Sequence, residues 1–599
     1  MSIGVMTMLA SWFFLLEVLR QRGLRLRRAF LITSFVWGTA VTILTEGLSL
    51  FNQLNYTSLL TCWITLLIPL FYLYFSGRRL HKQSLLEDCL RENKAILLSI
   101  AIILFSTFCI AVIAPPNNND SMTYHMSRVM HWIQNNSVAH YPTNILRQIE
   151  LNPWAEFAIT HLQILSGGDY LANLVQWFCM VGSILGITLI AEKLGASNRV
   201  QMIAALVTAT IPMGILQSSS TQNDLVVSFW LVCLAYFCMQ FNEKPCWSYA
   251  VAVGSSLGLS LLTKGTAYLF ASPLIIWLAI SSLKSIKQNA LKFLVFIMLS
   301  ASLLNIGHYI RNYETFGNIL SSGESKYTND SYGIATLASN IIRNIALEMS
   351  SQSVRVNQAV ESGANVLHTL MGLDINDSGT TWGSEKFELN GTISEDVAGN
   401  PVHLVLIIIS FILIFYLKKL RSHHNIVPYI SALIFAFLFF CIYLLWQPWH
   451  NRLLLPLIIL WSPVIAVLIA ETRSLLAVNA ILAALVIMTI PFLLQNISRP
   501  LITSYGNDSI LTTSRINQYF INCPELKNKY YGIVNHLKAI NCNNVGLMAS
   551  VNSSEYQLWV LLQKELNKNV RIEHINVTNN SGRIPLHNFK NCEVVSLDL

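Results

Sequence analysis

AILLSIAIILFSTFCIAVIA (95–114) runs without a break into PPNNNDSMTYHMSRVMHWIQNNSVAHYPT (115–143). The first part carries no charged residue and is about as long as the ~20 apolar residues that cross a bilayer. The second part opens on two prolines and holds an acid, an Arg, three His and a cluster of amides. At helical spacing Asp120, Tyr124, Arg128, His131 and Asn135 form one polar stripe. Met122, Met126, Val129, Met130 and Ile133 cover much of the rest. The spacing predicts a helix lying along the membrane surface, its apolar side toward lipid or core; periodicity alone fits a solvated polar face as well as a functional one.

The same apolar pattern recurs along the chain. Of 599 residues, 53% are hydrophobic and only 12% charged, against roughly a quarter charged in a soluble protein. About fourteen segments are long enough to span or fall a turn short: 2–19, 29–50, 56–76, 95–114, 170–191, 200–216, 225–241, 247–263, 266–281, 291–308, 402–417, 426–446, 454–470 and 475–494. The chain is thus expected to be an α-helical polytopic membrane protein. The first segment lacks a basic leader and reads as a retained span.

Basic loops stay on the inner side of a membrane. Arg20, Arg22, Arg25, Arg27 and Arg28 form one such loop, and Arg78, Arg79, Lys82, Arg91 and Lys94 a second. Lys284, Lys287 and Lys292 form a third, and Lys418, Lys419 and Arg421 a fourth. Loops 51–55 and 217–224 contain no Lys or Arg. Segments 115–169, 309–401 and 495–599 then face outward. The net charge of +8 is largely this topology signal; the basic residues are dispersed, which argues against nucleic acid as a partner. Of the eleven Cys, only Cys523, Cys542 and Cys592 lie in the outward tail, where one disulfide would leave one thiol over.

Three regions follow: a three-span segment, 1–94; a transmembrane core, 95–494, which includes outward loops 115–169 and 309–401; and 495–599. The last alternates strand-like NVGLMAS and CEVVSLDL with helical SEYQLWVLLQKEL, the pattern of a small soluble α/β domain.

Ionisable groups this close to a bilayer are costly and tend to be functional. A lone carboxylate at the membrane edge suits general-base chemistry on a hydroxyl. The order of span, outward Asp120, juxtamembrane helix, HYPT and LNPWAEF resembles the GT-C class of membrane glycosyltransferases. More narrowly it resembles the branch that includes protein O-mannosyltransferases and lipid A aminoarabinose transferases. SSSTQND (218–224), LLTKGTAYLF, HYIRNYETFGN, SEDVAGNPVH and QPWHNRLLLP extend the resemblance over roughly 90–500. They contribute Asp224, Lys264, Arg311, Glu395, Asp396, His403, His450 and Arg452. Where several families of the class have a second acid after the first, this chain has Ser121.

The resemblance implies a sugar taken from a polyprenyl-phosphate donor and passed to the hydroxyl of a lipid, glycan or protein acceptor. A single displacement inverts configuration, so one base, Asp120, is enough. The departing phosphate needs cations, for which Lys264, Arg311 and Arg452 are candidates; the alternative for each is a snorkelling anchor. Tyr124, His125, Arg128, His131, His140, Glu156, Asp224, His403 and His450 are weaker candidates for substrate contacts. His125, His131 and His140 match no zinc signature. Some enzymes of this class bind a divalent cation, which leaves Mg or Mn open. The implied location is the bacterial inner membrane, with membrane lipids around the helices and the active site toward the periplasm. Two other readings compete: an O-antigen ligase or polymerase-like glycan transferase, and a transporter or flippase for lipid-linked sugars. A transporter would place its ionisable groups near mid-membrane, whereas Glu17 and Glu46 are the few mid-span acids here.

Overall fold

A computed structural model describes residues 2–77, 94–323, 326–416, 425–472, 474–566, 570–586 and 589–597. Arg78, Arg79, Lys82 and Arg91 of the second basic loop, and Lys418, Lys419 and Arg421 of the fourth, lie outside the described residues.

Among the described residues, each expected span falls mainly on helix. Among the described residues eleven helices are long and apolar enough to cross a membrane: Ile3–Gln21, Leu26–Leu50, Tyr56–Ser76, Lys94–Ile113, Leu174–Lys193, Asp224–Glu243, Thr266–Ile286, Asn289–Phe316, Ile426–Tyr443, His450–Glu471 and Leu475–Leu494. The other three segments are shorter. Trp247–Thr263 and Pro401–Tyr416 have 17 and 16 residues. The 200–216 segment divides into Asn198–Ala209 and Pro212–Gln217. Pro212 forces the division: it donates no hydrogen bond and drives Ile211 to an extended ψ of 118°.

Asp224–Glu243 is the hub, and every residue of it from Asp224 to Phe241 is buried. Leu174–Lys193, Trp247–Thr263, Thr266–Ile286 and His450–Glu471 pack around it. Gly182 and Gly186, one turn apart, let Leu174–Lys193 approach closely. A Cβ at either would come within 2.4 Å of Phe229 or Val232, the small-residue device of helix pairs in membranes.

The helix ends separate into two sets. At one, Arg25 and Arg27 pair with Glu192, and Lys193 with Glu243. At the opposite ends of the same helices, Asn173 donates to the carbonyls of Ala111 and Ala114, and segments 115–169, 309–401 and 495–599 come together.

The surface helix expected over 120–135 is corrected in two ways. It begins as a π-turn, Ser121–His125, and becomes α-helical only over Met126–Asn135. The wider turn breaks the regular stripe. The polar face is not solvated either: Tyr124, His125, Arg128 and His131 are all buried. Helix Trp154–Ser166 covers one side of it and Tyr556–Glu565 another, so the stripe is an internal polar layer between the membrane core and the C-terminal region.

That region carries strands β1 (Asn544–Met548), β2 (Arg571–His574) and β3 (Glu593–Ser596), all parallel in the order β2-β1-β3. Helices Leu526–Ala539 and Tyr556–Glu565 pack against each other beside them in the sequence. Cys542 and Cys592 form a disulfide and Cys523 is free. Gln134 bonds Ile572 through its side-chain amide, and Arg515, Tyr519 and Tyr556 all bond Asp169.

Candidate functional site

Asp120 sits where the Lys94–Ile113 helix gives way to Pro115 and Pro116, which cannot continue it. Asn118 Oδ1 accepts from the Ser121 amide at 2.7 Å and starts the turn that follows. The carboxylate is then met by a residue 332 positions away: Arg452 Nη1 donates to Asp120 Oδ2 at 2.6 Å. Arg452 lies in the first turn of His450–Glu471.

The same Nη1 donates to Asp396 Oδ1 at 2.8 Å. Gln222 Nε2 spans the pair, 2.8 Å from Asp396 Oδ1 and 3.4 Å from Asp120 Oδ2. A second acid, which the residue after Asp120 does not provide, thus reaches Arg452 from the loop before Pro401. Arg147 approaches the other oxygen, 3.8 Å from Asp120 Oδ1. It lies over the Tyr124 ring at 5.1 Å and donates to Val551 O and Asn552 Oδ1 of the C-terminal region.

Lys264 occupies the break between Trp247–Thr263 and Thr266–Ile286 and pairs with Asp224. Asp224 opens its helix, where a carboxylate is favoured by the exposed amides. Buried atoms left without a partner among the described residues include Arg452 Nε and Asp224 Oδ2; buried polar atoms are normally satisfied.

The two carboxylates that share Arg452 are driven apart in acidity. Burial raises the pKa of Asp120, but Arg452, Arg147 and His125 outweigh it and hold the group well below the usual carboxylate range. Asp396 is pushed up to about 6, first by desolvation in the cleft and then, against Arg452, by the Asp120 and Glu395 charges.

Three loops converge on this point through Arg499, which is fully buried. Its guanidinium contacts Asn117 Oδ1 (2.9 Å), Ser219 Oγ (3.1 Å) and Glu395 Oε1 (2.9 Å). Each of these lies within three residues of Asp120, Gln222 or Asp396.

The remaining sequence candidates are distributed around this centre. His125 Nδ1 lies 2.6 Å from Glu156, which Arg128 also reaches at 3.4 Å. Arg128 donates to the carbonyls of Arg147, Gln148 and Leu151, fixing the loop that carries Arg147. His140 bonds Thr315 at 2.8 Å. Arg311 makes a two-point pair with Glu46, at 2.6 and 2.8 Å. His403 contacts the Val207 carbonyl and His450 the Asn344 side chain. Of the aromatic residues, Trp382 packs edge-to-face on Trp449, three residues before Arg452.

His131 joins Glu555 (2.8 Å) and His574, whose Nε2 is 3.2 Å from the same carboxylate. These three offer metal-type donor atoms within 4.8 Å of one another. Gln148 and Trp559 also donate to Glu555, at 2.7 and 2.8 Å, so hydrogen bonds already account for its acceptors.

Residues 153–305 match the family model described as dolichyl-phosphate-mannose-protein mannosyltransferase. The stretch includes Glu156, Asp224 and Lys264, and the match agrees with the resemblance carried by the motifs. No curated protein sequence matches the chain. Among solved structures, the chain is similar to ArnT from Cupriavidus metallidurans bound to undecaprenyl phosphate, with TM-score 0.42 and 14% identity over 79% of this chain and 76% of that one. For the apo state of ArnT the values are 0.42 and 12%, over 80% and 76%.

Proposed function

We propose that the chain is an integral-membrane glycosyltransferase that takes a sugar from a polyprenyl-phosphate donor and passes it, with inversion, to an acceptor hydroxyl. One observation carries this reading: Arg452 is shared by Asp120 and Asp396, and the charge of Lys264 acts on both Arg452 and Asp120. One carboxylate of the Asp120–Asp396 pair accepts the hydroxyl proton. Arg452 and Lys264 face the phosphate as it departs. Arg can meet phosphate oxygens through two donors, and Lys serves as a point charge. The family description for residues 153–305 names a lipid-phosphate sugar of this kind.

The site faces the periplasm in this reading, the side opposite the basic loops, and a disulfide at Cys542–Cys592 suits an oxidising compartment. Reporter fusions within 77–94 and 418–425 should therefore report the cytoplasm, and fusions at 330 and 599 the exterior. A cytoplasmic signal at 599 would place the carboxylates on the wrong side for an exported donor.

Lys264→Ala should raise the donor concentration needed for half-maximal transfer by ~10–100-fold, the worth of one charge-assisted hydrogen bond. Arg311→Ala tests the third cation. Its two-point bond to Glu46 leads us to expect a stability loss of about 1–3 kcal/mol, between the values for exposed and buried pairs, with donor use little changed. Thermal unfolding in detergent and donor titration separate the two effects. Unchanged donor use in both variants would show that these residues are anchors.

A further inference from the structure

The two carboxylates on Arg452 are not equivalent, and their contacts separate them. Both oxygens of Asp120 face cations: Oδ2 has Arg452 at 2.6 Å and Oδ1 has Arg147 at 3.8 Å. Its side chain is 12% exposed. Among the described residues, both side-chain contacts of Asp396 fall on Oδ1, from Arg452 and Gln222. Oδ2 is left for a ligand, and the side chain is 35% exposed. Neighbouring Glu395 turns the other way, to Arg499.

We propose that Asp396 is the residue that takes the proton from the acceptor hydroxyl, while Asp120 holds Arg452 in place beside it. This assignment rests on the glycosyl-transfer reading given above. In the step, the acceptor O–H bond breaks and its proton passes to Asp396 Oδ2. The acceptor oxygen forms the new bond to the anomeric carbon. The bond from that carbon to the phosphate oxygen breaks, and its electron pair leaves with the polyprenyl phosphate toward Arg452 and Lys264. The products are the glycosylated acceptor, the polyprenyl phosphate and a protonated Asp396, which loses its proton to water.

Titration follows the same division. A base works best with a pKa near the working pH, and carboxylates whose acidities are driven apart mark separate roles. A carboxylate raised to about 6, as Asp396 is, can accept a proton at neutral pH and is lost as a base when pH falls through that value. Asp120, held ionised, would show no limb in any accessible range. The groups facing Asp396 are Arg452 from the His450–Glu471 helix, Asp120 from the 115–169 segment, Gln222 from the 217–224 loop and Glu395 from its own loop.

The test is the pH dependence of kcat, from about pH 5 to 9, with a polyprenyl-phosphate sugar at saturation, for the wild type, Asp396→Asn and Asp120→Asn. Binding of the polyprenyl-phosphate sugar to each variant is measured alongside, so that a misfolded protein is recognised; Asp396→Glu gives a second, charge-conserving variant. The wild type should lose activity below about pH 6 with unit slope. Asp396→Asn should fall by ~10²–10⁴-fold and lose that limb, and Asp396→Glu should restore a limb. Asp120→Asn should keep the limb but displaced to lower pH, because a neighbouring negative charge is gone. An Asp396→Asn enzyme with more than about a tenth of the activity and an intact limb would overturn the assignment. So would a limb lost in Asp120→Asn but kept in Asp396→Asn; that outcome moves the base to Asp120 and leaves the transferase reading standing. A wild-type protein that binds the donor and never cleaves it would defeat the transferase reading itself.

Discussion

Arg452→Ala is expected to bring transfer close to nothing, with a loss of at least ~10²–10³-fold, the range seen when one preorganised donor aimed at developing charge is removed. Two effects add. The donor phosphate loses its two-point partner, and Asp120 and Asp396 face each other without the cation they share at 2.6 and 2.8 Å. Without Arg452 both carboxylates become harder to ionise, so the acid limb of residual activity should move to higher pH. Arg452→Lys should recover only part of the loss, because a single ammonium cannot match the planar fork. Initial rates for the purified variants, compared at equal monodispersity, read the effect directly. A variant within tenfold of wild type would remove Arg452 from the reaction centre.

Asp120→Asn is the second large effect, with an expected fall of ~10²-fold or more. The amide keeps the shape and loses one of the two charges that seat Arg452, which is then held by Asp396 alone. Donor binding should survive. His131→Ala provides the contrast. That imidazole belongs to the joint with Glu555 and His574, so its loss should lower the melting temperature and cost less activity than Asp120→Asn. The opposite ranking would move the chemistry to the histidine.

Much of this layout was readable from residues alone. Apolar runs fall on helices because about twenty such residues leave the chain no other way to satisfy its backbone in lipid. Asp120, Lys264 and Arg452 stood out as ionisable groups at outward membrane edges, and the structure brings them near one another. Other parts were not readable. The stripe from Tyr124 to His131 has the period of a solvated face, yet its partner Glu555 is 424 residues away, a separation no local pattern records. Asp396 stands in an acidic loop without periodicity, so its motif was visible and its partnership with Asp120 was not. Arg147 and Arg499 lie in polar segments where an arginine ordinarily reads as surface. Only the closed fold shows that Arg499 joins three loops behind the carboxylates, and that Arg147 links the C-terminal region to Asp120.

The most direct measurement reconstitutes the purified protein in liposomes with a polyprenyl-phosphate sugar carrying a labelled sugar, together with a candidate hydroxyl acceptor. Free polyprenyl phosphate and glycosylated acceptor are followed together. The two should appear in equal amounts, with inverted configuration at the anomeric carbon, and Arg452→Ala should form neither. Donor that crosses the bilayer intact, with no polyprenyl phosphate released, would contradict the transferase reading and identify a transporter of lipid-linked sugars.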